Sequence, residues 1–215
     1  MNQLLYEQRK LALIEEITRV FEGVSRENGV SLSEAWIIDD YGSDEERVEA
    51  RKRDTETRWQ DVPDDDICFG YSCLSFLDEI GFHYYIPAYI VWYLRNMDNE
   101  DPEPPSSSSN TFDSLIFHLT LENWGGWEEY YLRKYSLFTP QESKAIAQFL
   151  QFDAEREDVC NRECDQMFHE MLSKEGLSQE EIDVRVREIE QMRIEHDSPE
   201  NHARRALERY WGQFL

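Results

Sequence analysis

WQDVPDDDICFGYSCLSFLDEIGFHYYIPAYIVWYL, residues 59–94, places eight aromatic side chains between Trp59 and Tyr89 and an apolar stretch beyond them. From Ala88 to Met97 apolar residues fall on most sides of a helical wheel, which predicts a helix buried at the centre of the molecule. Pro87 suits the first position of that helix, where its missing N–H leaves nothing unsatisfied. A residue before proline is pushed away from the α region, so Phe82–Ile86 is expected to be extended or irregular. Gly81 fits the left-handed end of a short helix that Ser72 caps and that runs through Leu77. Upstream, Asp64, Asp65 and Asp66 supply a cap for a turn at Ile67–Tyr71. Trp59–Pro63 reads as chain leaving a helix.

Working outward, the pattern stays helical. Leu4, Leu5, Leu11, Leu13, Ile14, Ile17, Val20 and Phe21 recur at helical spacing, with Gly23 as the stop. Ser31 and Ser33 offer N-caps for a short helix that ends at Gly42. Ser43, with Glu46 three residues on, is a capping box for the charged segment that follows. Asn110 or Thr111 caps a helix over 112–121, Trp124–Trp127 forms a turn, and Trp127–Tyr135 forms a short helix. Thr139-Pro140-Gln141-Glu142 is the strongest helix start, with threonine as N-cap, proline at N1 and glutamate at N3.

Two stretches stand apart. Residues 98–110, DNEDPEPPSSSSN, read as a flexible acidic Pro/Ser loop inside one domain. Residues 153–198 read as an acidic helical hairpin split at Gly176-Leu177-Ser178, with Met167, Leu172, Ile182, Val186, Ile189 and Ile194 spaced in a heptad-like way. A projecting hairpin with apolar residues on one face would favour a homodimer through 153–198. Ser198-Pro199 starts the last helix. No internal repeat and no sustained β alternation occurs, so the fold class is all-α: a single helical domain over 1–215 with little or no β-sheet.

Charge bounds the function. The 215 residues carry 46 acidic and 22 basic side chains, a formal net of −24. Such a field repels phosphates and anionic lipid surfaces and draws in cationic partners. Direct nucleic-acid binding, which needs a Lys/Arg surface, is therefore not expected, and neither is membrane association. No run approaches the roughly 18 apolar residues of a membrane span, and the N-terminus lacks a signal-peptide pattern, so a cytoplasmic protein is expected.

The residues that carry chemistry are few. Cys160 and Cys164 lie four apart with His169 beyond, a spacing unsuited to a zinc knuckle, so the four cysteines are expected to be packed thiols and no metal or cofactor is assigned. His83 and His118 are the histidines near the aromatic run. Ser72 and Ser75 are the nearby hydroxyls, but no strained turn frames either, and no catalytic residue is assigned. Not every hydroxyl and indole N–H in the aromatic run is expected to find a buried partner. Trp59, Asp61, His83, Tyr84, Tyr85, Tyr89 and Trp92 are therefore the candidates to line an interaction surface or pocket.

The set Trp59-x-Asp61-Val62-Pro63, Ser75-Phe76-Leu77 and Gly81-Phe82-x-Tyr84-Tyr85-Ile86-Pro87-Ala88-Tyr89 resembles a widespread bacterial family of uncharacterised small proteins. Leu137–Glu142 and Ala206–Trp211 are similar to a later helix start and to the close of that family. The likeness covers roughly 59–97, 111–152 and 200–212 and departs at 98–110 and 153–198. It implies a helical fold and a bacterial cytosolic setting, and it brings no activity. Charge and aromatics together favour a non-enzymatic interaction protein, an immunity or antitoxin-type partner of a basic protein or a nucleic-acid mimic. The alternative is a small-ligand binder or enzyme using the aromatic residues around Tyr84–Tyr93.

Overall fold

Asp78 starts the helix around which the chain is arranged. Its Oδ1 accepts the N–H of Gly81 at 2.8 Å, as an N-cap should, and the N–H of Val30 at 2.9 Å, which ties in a distant loop. The computed structural model describes residues 3–98, 105–122, 125–174, 178–195 and 201–215. Among these it contains ten α-helices and no strand. They are α1 (Gln3–Val20), α2 (Leu32–Asp39), α3 (Asp44–Arg51), α4 (Asp64–Phe69), α5 (Glu79–Asn96), α6 (Pro105–Leu119), α7 (Trp127–Tyr135), α8 (Pro140–Lys174), α9 (Gln179–Glu195) and α10 (His202–Arg209). Short 3-10 turns occupy Trp59–Asp61, Cys73–Ser75 and Trp211–Phe214.

α5 is the buried central helix, but it begins well before Pro87. Phe82, Tyr84, Tyr85 and Ile86 are helical and wholly buried, so packing on all sides overrides the local bias against helix before proline. Gly81 is likewise inside the helix rather than at a left-handed end. A Cβ there would lie 2.4 Å from the Val30 carbonyl oxygen, so glycine permits the close approach of the two backbones. Ser72 makes no side-chain cap, and Asp64–Asp66 form the first turn of α4 behind Pro63.

The capping signals elsewhere fare better. Ser31 with Glu34, Ser43 with Glu46 and Thr139 with Glu142 each form reciprocal capping boxes. Ser33 instead donates from its hydroxyl to Asp54. α6 begins at Pro105, so the part of the expected loop from 105 to 110 is helical, whereas 99–104 lies outside the described residues. Asn201 caps α10, three residues after Ser198, which also lies outside them. The indole N–H groups act as clamps: Trp59 donates to Phe21 O at 2.9 Å and Trp211 to Leu119 O at 2.6 Å.

α8 runs 35 residues, about 50 Å at 1.5 Å per residue, and only its first half is in the core. From Glu142 to Ala154 it is buried against α1, α10 and the C-terminal turn. Residues 155–159 are partly buried beside Tyr93 and α10, and the helix is then largely open to solvent until Leu172. There α9 packs on it, burying Leu172 and Ile182, while Met167, Met171 and Val184 stay exposed. Cys160 and Cys164 are exposed on this stretch, not packed as expected, whereas Cys68 and Cys73 are buried; none of the four is in a disulfide.

The Gly81 contact generates a sharp expectation. Gly81→Ala must push α5 off the Val30 backbone, and the overpacking is expected to cost about 3 kcal/mol in urea unfolding. An alanine scan of the outer face of α3 should stay near zero by the same measurement.

Candidate functional site

The aromatic residues singled out from sequence do not converge on a groove. Trp59, Tyr84, Tyr85, Tyr89 and Trp92 are core residues, each at most 5% exposed. Asp61 is on the surface at the end of its 3-10 turn. His83 is half-buried, with its ring on Phe138 and its Nε2 3.2 Å from Glu142 Oε1. Burial opposes the Glu142 charge, but hydrogen bonds from His83 and Thr139 outweigh it and hold this carboxyl below the usual range. That pair joins α5 to the start of α8 and leaves Glu142 no free role.

One rung further along α5, Tyr93 reaches a cavity. A cleft of about 630 Å³ opens between α6, α8 and α10, within the size range of small-ligand sites. Tyr93, Phe112, Ile116 and Phe117 give it an apolar lining. Beneath it, Tyr93 Oη donates to Asp153 Oδ1 at 2.6 Å, and Arg156 donates from Nε to the same oxygen and from Nη2 to the tyrosine, both at 3.0 Å. Burial pushes the Tyr93 hydroxyl far up, and Asp153 adds to this, so the phenol stays a donor. Burial opposes the charge of Arg156, but Tyr93 and Asp153 prevail and keep the guanidinium protonated. On the rim, Glu157 Oε2 accepts the His202 N–H at 3.1 Å, and Arg205 Nη2 stands 3.7 Å from Glu122 Oε1. Glu122 is already engaged by Arg209.

Ser75 and His118, two of the residues weighed for catalysis, do meet. Ser75 Oγ is 3.1 Å from His118 Nε2, and Nδ1 is 2.8 Å from the Ser114 carbonyl. A carbonyl only accepts, so Nδ1 carries the proton and Nε2 accepts from the serine. Burial, helped by the neighbouring Lys134 charge, pushes the His118 pKa down to about 3. A general base needs a pKa near the working pH, so this imidazole does not take the serine proton. The pair fastens α6 to the Cys73–Ser75 turn. Lys134 is itself buried, with no carboxylate in contact among the described residues: its Nζ donates to Leu74 O at 2.6 Å and sits over the rings of Tyr130 and Phe82.

A third feature lies at the acidic end of α2. Tyr41 is 97% exposed and has φ +58°, a left-handed conformation that costs a non-glycine residue about 1–2 kcal/mol. It closes α2: the Tyr41 N–H bonds to Ile38 O and the Gly42 N–H to Ile37 O. Glycine is usual at the left-handed position, yet here Gly42 comes one residue later, pressed so close to Ile37 that a Cβ would be 2.4 Å from its Cγ2. Asp39, Asp40, Asp44 and Glu45 flank Tyr41 in sequence. On α4, Asp66 is held above its usual range by burial and then by Asp54, Glu56 and Asp65.

Residues 9–175 match Family of unknown function (DUF6714). The chain belongs to this family. No curated protein and no solved structure matches it. The DUF6714 match runs from within α1 to the end of α8, so it takes in Tyr41 and the Tyr93–Asp153–Arg156 network, while His202 and Arg205 on α10 lie beyond it. Among the described residues no group of three or more His, Cys, Asp or Glu is placed to hold a metal ion, and no helix is long and apolar enough to cross a membrane.

Lys134 supplies a pH test of this geometry. Burial pushes its pKa down to about 7, with Asp78 only partly opposing. From pH 7 to about 8.5 an unfolded lysine, with a pKa of about 10.4, keeps its proton while the folded one loses it. The unfolded state then binds more protons, so stability rises with pH across this window. Urea unfolding should show that rise, and Lys134→Met should flatten it.

Proposed function

We propose that this protein is an acidic interaction partner of a basic protein, engaged through the α2–α4 side. Tyr41 carries the reading. A large ring almost wholly in solvent contributes nothing to the core, and its backbone conformation disfavours it relative to glycine. A residue kept at a cost to stability points to a role outside folding. Tyrosine is among the residues enriched at interface hot spots, and the acids around it suit a cationic surface that they also steer into place. The concrete form is an immunity or antitoxin-type protein that covers a basic effector. A projecting ring supports docking into a pocket better than it supports mimicry of nucleic acid, which calls for regular rows of carboxylates.

The test separates stability from binding. Tyr41→Gly removes about 1–2 kcal/mol of backbone strain and adds about 0.4–1 kcal/mol of unfolded-state entropy cost, so it should be at least as stable as the parent. Tagged parent chain purified from its native host at low salt should bring down one stoichiometric basic protein, released as salt rises. The Tyr41→Gly chain should hold that protein about 30-fold more weakly, a hot-spot loss of about 2 kcal/mol. A parent chain that emerges alone at both salts contradicts the reading, as does equal capture by the variant.

A further inference from the structure

The cleft between α6, α8 and α10 shares no residue with the Tyr41 side and has a different chemistry. Two guanidinium groups face it in a chain whose net charge is −24. Arg156 spends Nε and one Nη on Asp153 and Tyr93, and Arg205, among the described residues, makes the long 3.7 Å approach to Glu122. Arg209 takes the other oxygen of Glu122, Oε2, so Arg205 is held only at long range by Oε1 and a ligand carboxylate can compete for its guanidinium. Against these donors stands Glu157, half-buried and bound by the backbone N–H groups of His202 and Ala203, its carboxyl held up by burial and by the nearby Asp153.

The positions of the two poles are set by α10. Glu157 grips the N–H of His202 at the first turn of that helix, and Arg205 follows three residues later on the same face. The α10 positions that anchor the acidic and basic poles are thus three residues apart, about 4.5 Å along the axis. Phe112, Ile116 and Phe117 lie across from them and present apolar surface, with Phe117 51% exposed.

A purely anionic ligand would meet Glu157, Asp113 and the negative field of the whole chain. A purely cationic one would meet two arginines. A molecule with both charges close together and an apolar body satisfies each wall. We propose that this cleft binds an α-amino acid with a large apolar side chain, its carboxylate on Arg205 and Arg156, its ammonium on Glu157, and its side chain on Phe112, Ile116 and Phe117. The carboxylate takes charge-assisted hydrogen bonds from guanidinium N–H groups. Arg156 is preorganised for this by Tyr93 and Asp153, which fix its plane.

Calorimetry and thermal shift on the full chain test the proposal with the common L-amino acids at millimolar concentration, glycine as the member without a side chain, and two single-pole analogues. N-acetyl-L-phenylalanine lacks the ammonium, and L-phenylalanine amide lacks the carboxylate. At least one large apolar amino acid, among phenylalanine, leucine, tryptophan and methionine, should bind and raise the melting temperature. Glycine should not. Each single-pole analogue of phenylalanine should bind about tenfold or more weakly than phenylalanine, or than the best binder's own analogues if another side chain wins. Arg205→Ala and Glu157→Gln leave the buried Asp153–Arg156 pair in place, and each should weaken binding by a similar factor while circular dichroism stays unchanged. No shift with any large apolar amino acid overturns the proposal. An acetylated or amidated analogue that binds as tightly as its parent also overturns it, because the site then reads one charge alone. Unchanged binding by both variants places the ligand elsewhere and overturns it too.

Discussion

Three tyrosine hydroxyls on α5 hold the rest of the molecule in place. Tyr85, Tyr89 and Tyr93 recur every fourth residue, so their side chains stack along one stripe of a helix that is buried on all sides. A phenol taken from water must find a partner or cost the fold its desolvation energy. Each of these finds one on a different element. Tyr85 donates to Glu56 and accepts from Arg26, which docks the segments around α2. Tyr89 donates at 2.6 Å to the Gly70 carbonyl at the end of α4. Tyr93 donates to Asp153 on α8. Tyr84, off the stripe, is the contrast: its hydroxyl is buried with no partner among the described residues. The helix thus sets where its neighbours sit, through directional bonds that apolar packing alone does not supply.

This arrangement sends function to the perimeter. Aromatic residues that look like hot spots in the sequence are consumed as structure, and what remains for recognition lies where the ladder ends or does not reach. Its last rung, Tyr93, fixes Arg156 under the α6–α8–α10 cleft. Past the end of α2, the Tyr41 ring has no packing duty and stands in solvent. Membership of a family without an assigned function leaves both surfaces open to experiment, and their chemistries are complementary: one suits a basic macromolecule, the other a small zwitterion.

The all-α class was legible because helical periodicity and capping are local. Ser43-x-x-Glu46 and Thr139-x-x-Glu142 form as read, and Ser31, read as one of two N-caps, also pairs with Glu34, each being a bond between residues three apart. Local rules failed where tertiary burial was strongest: Pro87 and Gly81 sit inside α5, because the packing around Phe82–Leu94 outweighs their backbone preferences. Where the hydroxyls of Tyr85, Tyr89 and Tyr93 go was illegible for a related reason. Their partners, Glu56, Gly70 and Asp153, are 19 to 60 residues away, and no spacing rule reveals them. The cleft was illegible for the same cause, since Arg156, Glu157 and Arg205 meet only when α10 folds back on α8. Tyr41 carried a faint signal, a tyrosine wedged between a helix end and Gly42-Ser43, but its left-handed backbone shows only in the structure.

Spectrophotometric titration of the tyrosines, followed beside far-UV circular dichroism, tests the ladder most directly. Burial drives the hydroxyls of Tyr85, Tyr89 and Tyr93 far above the ordinary phenol range. A subset of the eleven tyrosines should therefore ionise only in the alkaline step that also abolishes the helical signal. Reversible ionisation of all eleven near the free value of about 10, with the helices intact, would contradict the account.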